Sequence, residues 1–254
     1  ETMNITATFE KLSLLRLHGF ERVYRDITQS ARQEKYTLDE LIGHMVDAEF
    51  DDKYNKKLSR LLKQARLRQQ ASFEQIDFNH PRGLDKNQVL RLQSCDWIKK
   101  SRDLLITGST GLGKSFLACA FGHQACVNQL RVLYVTANKL LDQLMFAKAD
   151  GTYFKVLDMI TKNHLLIIDD FGLRKIDHKQ CTILLDVADD RHGKGSTIVT
   201  SQLPVKSWYD CFAEPTIADA ILDRWINGSF RIDLDGPSMR KILENKEENV
   251  LDLQ

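Results

Sequence analysis

Apolar residues recur along this chain of 254 residues with two different periods, and the change of period divides it. Phe20, Val23, Tyr24 and Ile27 repeat at the spacing of one helix face. Thr37 and Glu40 then form a T-x-x-E capping box just ahead of Leu41, Ile42, Met45 and Val46. The stripe resumes at Tyr54, Leu58, Leu61, Leu62 and Ala65. No run before residue 100 reads as a strand. Residues 1–70 are therefore expected to be a small all-helical domain. The stretch 71–85, with Pro81 and Gly83, reads as a linker. From residue 86 to 254 the pattern alternates. Short apolar runs at Leu104–Thr107, Val132–Val135, Leu165–Ile168, Thr197–Thr200 and Ser229–Leu234 are separated by helix-like segments. That order predicts an α/β domain with a five-stranded parallel sheet covered on both faces.

Composition narrows this picture only slightly. Hydrophobic residues make up 43% and charged residues 28%, an ordinary globular balance. No apolar run approaches the roughly 20 residues of a membrane span, and no secretory signal pattern opens the chain. Neither a membrane partner nor export is expected. The five cysteines are scattered without a C-x-x-C pair, which suits a reducing cytoplasm and argues against a disulfide framework or zinc site. A net charge of +1 is uninformative, but its distribution is not. Glu21–Asp52 is rich in acids, whereas Lys53–Arg68 carries seven basic residues and no acidic one.

Candidate chemistry lies where the strands end. Gly108-Ser109-Thr110-Gly111-Leu112-Gly113-Lys114-Ser115 fits G-x-x-x-x-G-K-[ST], after a predicted strand and before a predicted helix. Glycines let the backbone turn its N–H groups toward phosphate oxygens, and the following helix presents its positive end. Lys114 is expected to meet the β and γ phosphates, and Ser115 to ligate Mg2+. Leu165–Ile168 reads as a buried strand ending in Asp169 and Asp170. In a parallel sheet this places both carboxylates beside the loop. Asp169 is assigned to the magnesium shell, and Asp170 to the attacking water. Asp170-Phe-Gly172 spells a kinase D-F-G, but no kinase loop or H-R-D motif accompanies it.

Three further features leave alternatives open. Thr197–Thr200 runs into Ser201 and Gln202, either an ordinary strand end or a γ-phosphate sensor, for which Gln202 is preferred to Ser201. Arg224, near the end of a helix-like stretch, is either a surface salt bridge or an arginine that reaches a neighbouring subunit's nucleotide. Lys53, Lys56, Lys57, Arg60 and Lys63 share one helix face, either merely solvated or tracking DNA phosphates. A second basic group, Lys148, Lys155, Lys162, Arg174 and Lys175, flanks the strand that carries Asp169.

These residues resemble the AAA+ ATPases, and among them the IstB-like transposition helpers, relatives of DnaC-type helicase loaders. The resemblance runs through Leu15–Phe20, Leu62–Arg66, Phe73–Phe78, Gly108–Ser115, Leu165–Gly172, Asp190-Arg191, Ser196–Gln202, Ala218–Arg224 and Ser238–Lys241. It implies a bacterial insertion-sequence ATPase that binds duplex DNA through its helical N-terminus and oligomerises with ATP. Such a protein delivers target DNA to its cognate transposase and is stimulated by DNA. A replicative helicase loader is the alternative. It also implies that Arg224 is a trans-acting arginine finger, and that Arg240 resembles a second sensor arginine. Most AAA+ proteins carry Glu at the position of Asp170; the shorter side chain implies slow hydrolysis. Only about 20 residues follow the last expected strand, too few for the usual helical lid.

Overall fold

A computed structural model describes residues 5–30 and 36–239. Arg240 lies outside the described residues. The chain divides into two compact units, Glu1–Arg60 and Leu61–Gln254.

The described elements of the first unit are all helices: α1 (Ile5–Leu14), α2 (His18–Gln29) and most of α3 (Leu38–Ala65). The capping box forms as the sequence specifies. Thr37 N–H donates to Glu40 Oε2 at 2.8 Å, and Glu40 N–H donates to Thr37 Oγ1 at 3.3 Å. Both apolar stripes that follow it belong to one continuous helix. Ile27 and Met45 are buried. Glu49, also buried, accepts the N–H groups of Gly19 (2.8 Å) and Phe20 (3.2 Å), placing a carboxylate at the positive end of α2. Leu38, Ile42, Val46 and Phe50, four residues apart along α3, stay exposed.

In the second unit, Leu61 and Ala65 at the end of α3 are buried. The stretch read as a linker is packed as well. Ala71, Phe73, Ile76 and Arg82 are buried, and Phe73 meets Phe121 edge-on at 5.1 Å. The punctuation by Pro81 and Gly83 marks turns there, but apolar side chains between turns anchor the segment to the body. Helices α4 (Lys86–Leu92) and α5 (Asp96–Lys99) lead into β1 (Leu104–Gly108). The chain then alternates through α6 (Lys114–Val127), β2 (Val132–Thr136), α7 (Ala137–Ala149), α8 (Tyr153–Thr161), β3 (Leu165–Phe171), α9 (His178–Arg191), β4 (Ser196–Ser201), α10 (Pro215–Ile226) and β5 (Phe230–Leu234). All five strands are parallel, in the order β2-β3-β4-β1-β5. Leu104–Ile106 and Leu165–Ile168 are fully buried, as strands covered on both faces must be.

Strand β3 carries both carboxylates, as expected, and runs one residue further, to Phe171. The register against β4 shifts between Ile168 and Phe171, and Asp170 sits at φ +59°. The bulge turns Asp170 out of the ladder. Phe171 returns to the core against Trp208, Phe212 and Trp225.

The opposite end of the sheet is held by Arg191. Its guanidinium donates to the carbonyls of Thr161 (2.9 Å), Asn163 (2.8 Å), His164 (3.5 Å) and Ser196, and to Thr197 Oγ1 (3.2 Å). These groups gather the entries to β3 and β4 into one knot. Asp103 joins it by accepting Thr197 N–H at 2.6 Å. Burial pushes the Asp103 carboxyl up to about 7, although Thr197 N–H and Arg191 both favour its charged form. The proton is therefore bound more tightly in the folded state. This group's contribution to stability is full below about pH 4 and is lost as pH rises through about 7. Asp103→Asn keeps an oxygen for Thr197 N–H and has no charge to bury. The parental melting temperature should fall across that window relative to the variant's; parallel melting curves against pH would refute the assignment.

Candidate nucleotide-binding site

The loop between β1 and α6 is shaped from outside by its carbonyls. Gly111 and Gly113 take φ +83° and +84°, a region an L side chain rarely enters, and a Cβ at Gly111 would lie 2.1 Å from Ser238 Oγ. Met239 N–H donates to Gly111 O at 3.0 Å. Buried Arg82 donates to Leu112 O at 2.7 Å and to Asp77 O at 3.0 Å. Segments 77–82 and 235–239 thus hold the loop through its carbonyls, and Asp77, Arg82 and Met239 join it in lining the cavity. Among the described residues nothing resembling a helical lid follows β5; residues 235–239 form this contact instead.

The cavity beneath measures about 410 Å³, a volume that suits a small organic ligand. Its walls include Thr110, Gly111, Gly113, Lys114, Ser115, Asp170 and Gln202, so most of the sequence-assigned residues converge. Lys114 is buried with Nζ 2.8 Å from Ser109 O, inside the curl of its own loop. Ser115 Oγ donates to Asp169 Oδ1 at 3.0 Å, joining the loop to β3. Asp169 is fully buried and also accepts the hydroxyls of Thr200 and Tyr134. Burial, then the bond to Asp169, pushes the Tyr134 phenol up, so it stays a donor. Asp170, only partly buried, donates its N–H to Thr200 Oγ1 at 3.1 Å.

A hydroxyl and a carboxylate at hydrogen-bond distance are hard oxygen donors suited to Mg2+. Among the described residues no cluster of three or more His, Cys, Asp or Glu forms a dedicated metal cage. That is the donor set of a cation shared with bound phosphates.

Gln202 faces the cavity, whereas Ser201 is committed to the backbone, donating to Phe171 O at 2.8 Å and accepting Leu203 N–H at 3.1 Å. Arg224 is elsewhere. It ends α10 beside Asp103 and Thr197, at the entry ends of β1 and β4, whereas the P-loop follows the exit end of β1. Its guanidinium pairs with Asp189 and donates to Ala220 O at 2.5 Å. Lys53, Lys56, Lys57, Arg60 and Lys63 are all exposed on α3. Lys53 pairs with Glu49 at 3.2 Å and Lys56 with Asp52 at 2.6 Å.

Sequence reasoning missed Thr200, Tyr134, Arg68 and Arg82. Thr200 and Tyr134 had a faint signal, as polar tips in otherwise apolar strands. Arg68, whose Nη1 lies 3.5 Å from Asp169 and 3.4 Å from Asp170, had none, since only the fold brings residues so distant in sequence together.

Similarity to known proteins agrees with this geometry. The chain is 38% identical over 234 residues to y4pL of Sinorhizobium fredii, named as an insertion sequence ATP-binding protein, covering 92% of this chain and 96% of the relative. The crystal structure of the DnaC helicase loader superposes with a TM-score of 0.53 at 19% identity, over 63% of this chain and 95% of that one. AMPPCP-bound DnaA from Aquifex aeolicus gives 0.57 at 18%, over 72% and 56%. At such identities the two structures speak for a shared fold alone. The family of IstB-like ATP binding proteins matches residues 10–248, and with the P-loop, the paired carboxylates and the parallel sheet in place, the chain belongs to that family of insertion-sequence ATP-binding proteins.

Proposed function

We propose that this protein is a Mg2+-dependent, DNA-stimulated ATPase that assembles on duplex DNA and delivers it to the transposase of its insertion sequence. The observation that carries the reading is the meeting of Lys114, Ser115 and Asp170 at one cavity, with Asp169 bonded to Ser115 behind its wall. Lys114 and the loop amides hold the phosphates. Ser115 and Asp169 are the residues that would hold Mg2+, which when bound supplies positive charge against the phosphate oxygens. Asp170 orients the attacking water, and its bulged, partly exposed position leaves room for one. Gln202 reads the γ-phosphate from the end of β4. Arg224, remote from its own loop, acts on a neighbouring copy. Self-assembly would also cover the exposed row Leu38, Ile42, Val46 and Phe50. Among the described residues no helix is long and apolar enough to cross a membrane.

DNA contact is assigned to the basic face of α3. Among the described residues Lys57, Arg60 and Lys63 form no ion pair, so they carry much of its uncompensated charge. Reversing Lys56, Lys57 and Arg60 to Glu should weaken duplex binding equally for all sequences. It should also reduce the slope of log affinity against log salt by roughly 0.9 for each lost phosphate contact. Unchanged affinity and slope would leave the row as a solvated face. Preference of the parent for single strands over duplex would instead favour a helicase loader.

A further inference from the structure

Arg68 stands outside every motif that marks this site, yet it reaches the centre of it. A single nitrogen, Nη1, lies 3.5 Å from Asp169 Oδ2 and 3.4 Å from Asp170 Oδ2, bridging two adjacent carboxylates. Asp169 is fully buried, and the hydroxyls of Ser115, Thr200 and Tyr134 that bond it are neutral. Neighbouring anions, one of them buried, demand positive charge. Arg68 lines the same cavity as Thr110, Lys114 and Ser115 and brings that charge.

We infer that Arg68 and the divalent cation are alternative counter-charges for the two carboxylates, the cation held by Ser115 and Asp169. Arg68 neutralises the carboxylates until Mg2+-nucleotide takes its place. The inference rests on the magnesium–ATP reading above and goes beyond it by naming what that cation displaces.

The geometry is that of a replaceable contact. An arginine committed to carboxylates makes two parallel bonds at about 2.7–2.9 Å. Arg68 makes longer contacts to the carboxylates through one nitrogen, with Tyr134 as a further partner, and its side chain is 52% exposed. Its guanidinium can swing into solvent at little cost to itself, but the buried Asp169 then needs another positive charge in its place. Ser115 Oγ and Asp169 already face each other at 3.0 Å, so the exchange swaps a guanidinium for a cation and rebuilds no backbone. Arg68 is thus a positioning residue. It sets how strongly nucleotide binding depends on the metal, because without it an incoming phosphate meets two uncompensated carboxylates.

Two measurements test this on the intact chain. Mn2+ binding is followed by electron paramagnetic resonance without nucleotide. The affinity for a fluorescent ADP analogue is titrated in EDTA and in Mg2+. Arg68→Ala should bind Mn2+ on the order of fivefold more tightly, the scale of one half-exposed ion pair. It should bind the analogue more weakly in EDTA yet near normally in Mg2+, widening the ratio of the two affinities. Arg68→Lys keeps the charge and should restore the parental ratio, which a purely structural role would not require. Unchanged Mn2+ affinity and ratio in Arg68→Ala would overturn the inference. So would a loss confined to ATP over ADP in Mg2+, which would place Arg68 on the γ-phosphate. If the parent's nucleotide affinity ignores Mg2+ altogether, the magnesium reading itself fails and takes this inference with it.

Discussion

Arg224→Ala should leave nucleotide binding by a single subunit intact and lower DNA-stimulated hydrolysis on the order of 10³–10⁵-fold, the range an arginine finger contributes in P-loop enzymes. Position is the reason. Arg224 shares its surroundings with Asp103 and Thr197 at the entry ends of the strands, so it cannot serve the P-loop of its own chain. The substitution should spare the fold. The partner it abandons, Asp189, is itself 46% exposed, and pairs of that kind are worth at most about 1 kcal/mol. The decisive form of the experiment mixes Arg224→Ala with Lys114→Ala. The first brings intact P-loops, the second intact fingers. Hydrolysis should reappear in the mixture although neither variant shows it alone. A mixture that co-assembles and stays inactive would exclude a site shared between copies, as would normal turnover by Arg224→Ala itself.

Asp170→Asn should bind ATP normally and lose about 10²–10⁴ in turnover, the usual worth of a positioned base. Two structural facts make this substitution clean. Asp170 sits at φ +59°, a conformation that Asn tolerates at least as well as Asp, so the bulge in β3 should persist. The Ser115–Asp169 bond is separate from it, so phosphate and cation binding keep their protein partners. Losing one of the two carboxylates also leaves Arg68 with a single partner, so the variant's Mg2+ affinity should change less than that of Asp169→Asn. Equal hydrolysis by variant and parent, measured as phosphate release under saturating ATP, would show that the water is oriented by another group.

Local rules made much of this protein legible before any coordinates. The capping box at Thr37, the five apolar runs and the P-loop depend on residues within a few positions of one another. Backbone geometry and periodicity act at that range, and the strands indeed appear as Leu104–Gly108, Val132–Thr136, Leu165–Phe171, Ser196–Ser201 and Phe230–Leu234. Parallel strands buried on both faces also leave few options for where ligands bind, which is how Asp169 and Asp170 were picked out from sequence. The same locality explains what the pattern leaves unseen. Ala71, Phe73 and Ile76 read as linker because their spacing matches no element, and only Phe121 and its neighbours give them somewhere to pack. The bulge at Asp170 has no signal in the sequence either, because it is formed jointly with β4. Arg191, Arg82 and Arg68 are ordinary basic residues in sequence. Each acquires its role from acceptors supplied by distant segments, among them Asn163 O, Leu112 O and Asp169. The chain alone thus determined its elements and the phosphate-binding chemistry, since both follow from near neighbours. The tertiary structure decided which buried polar groups are answered and by whom, because desolvated charges are paired only once the fold has closed around them.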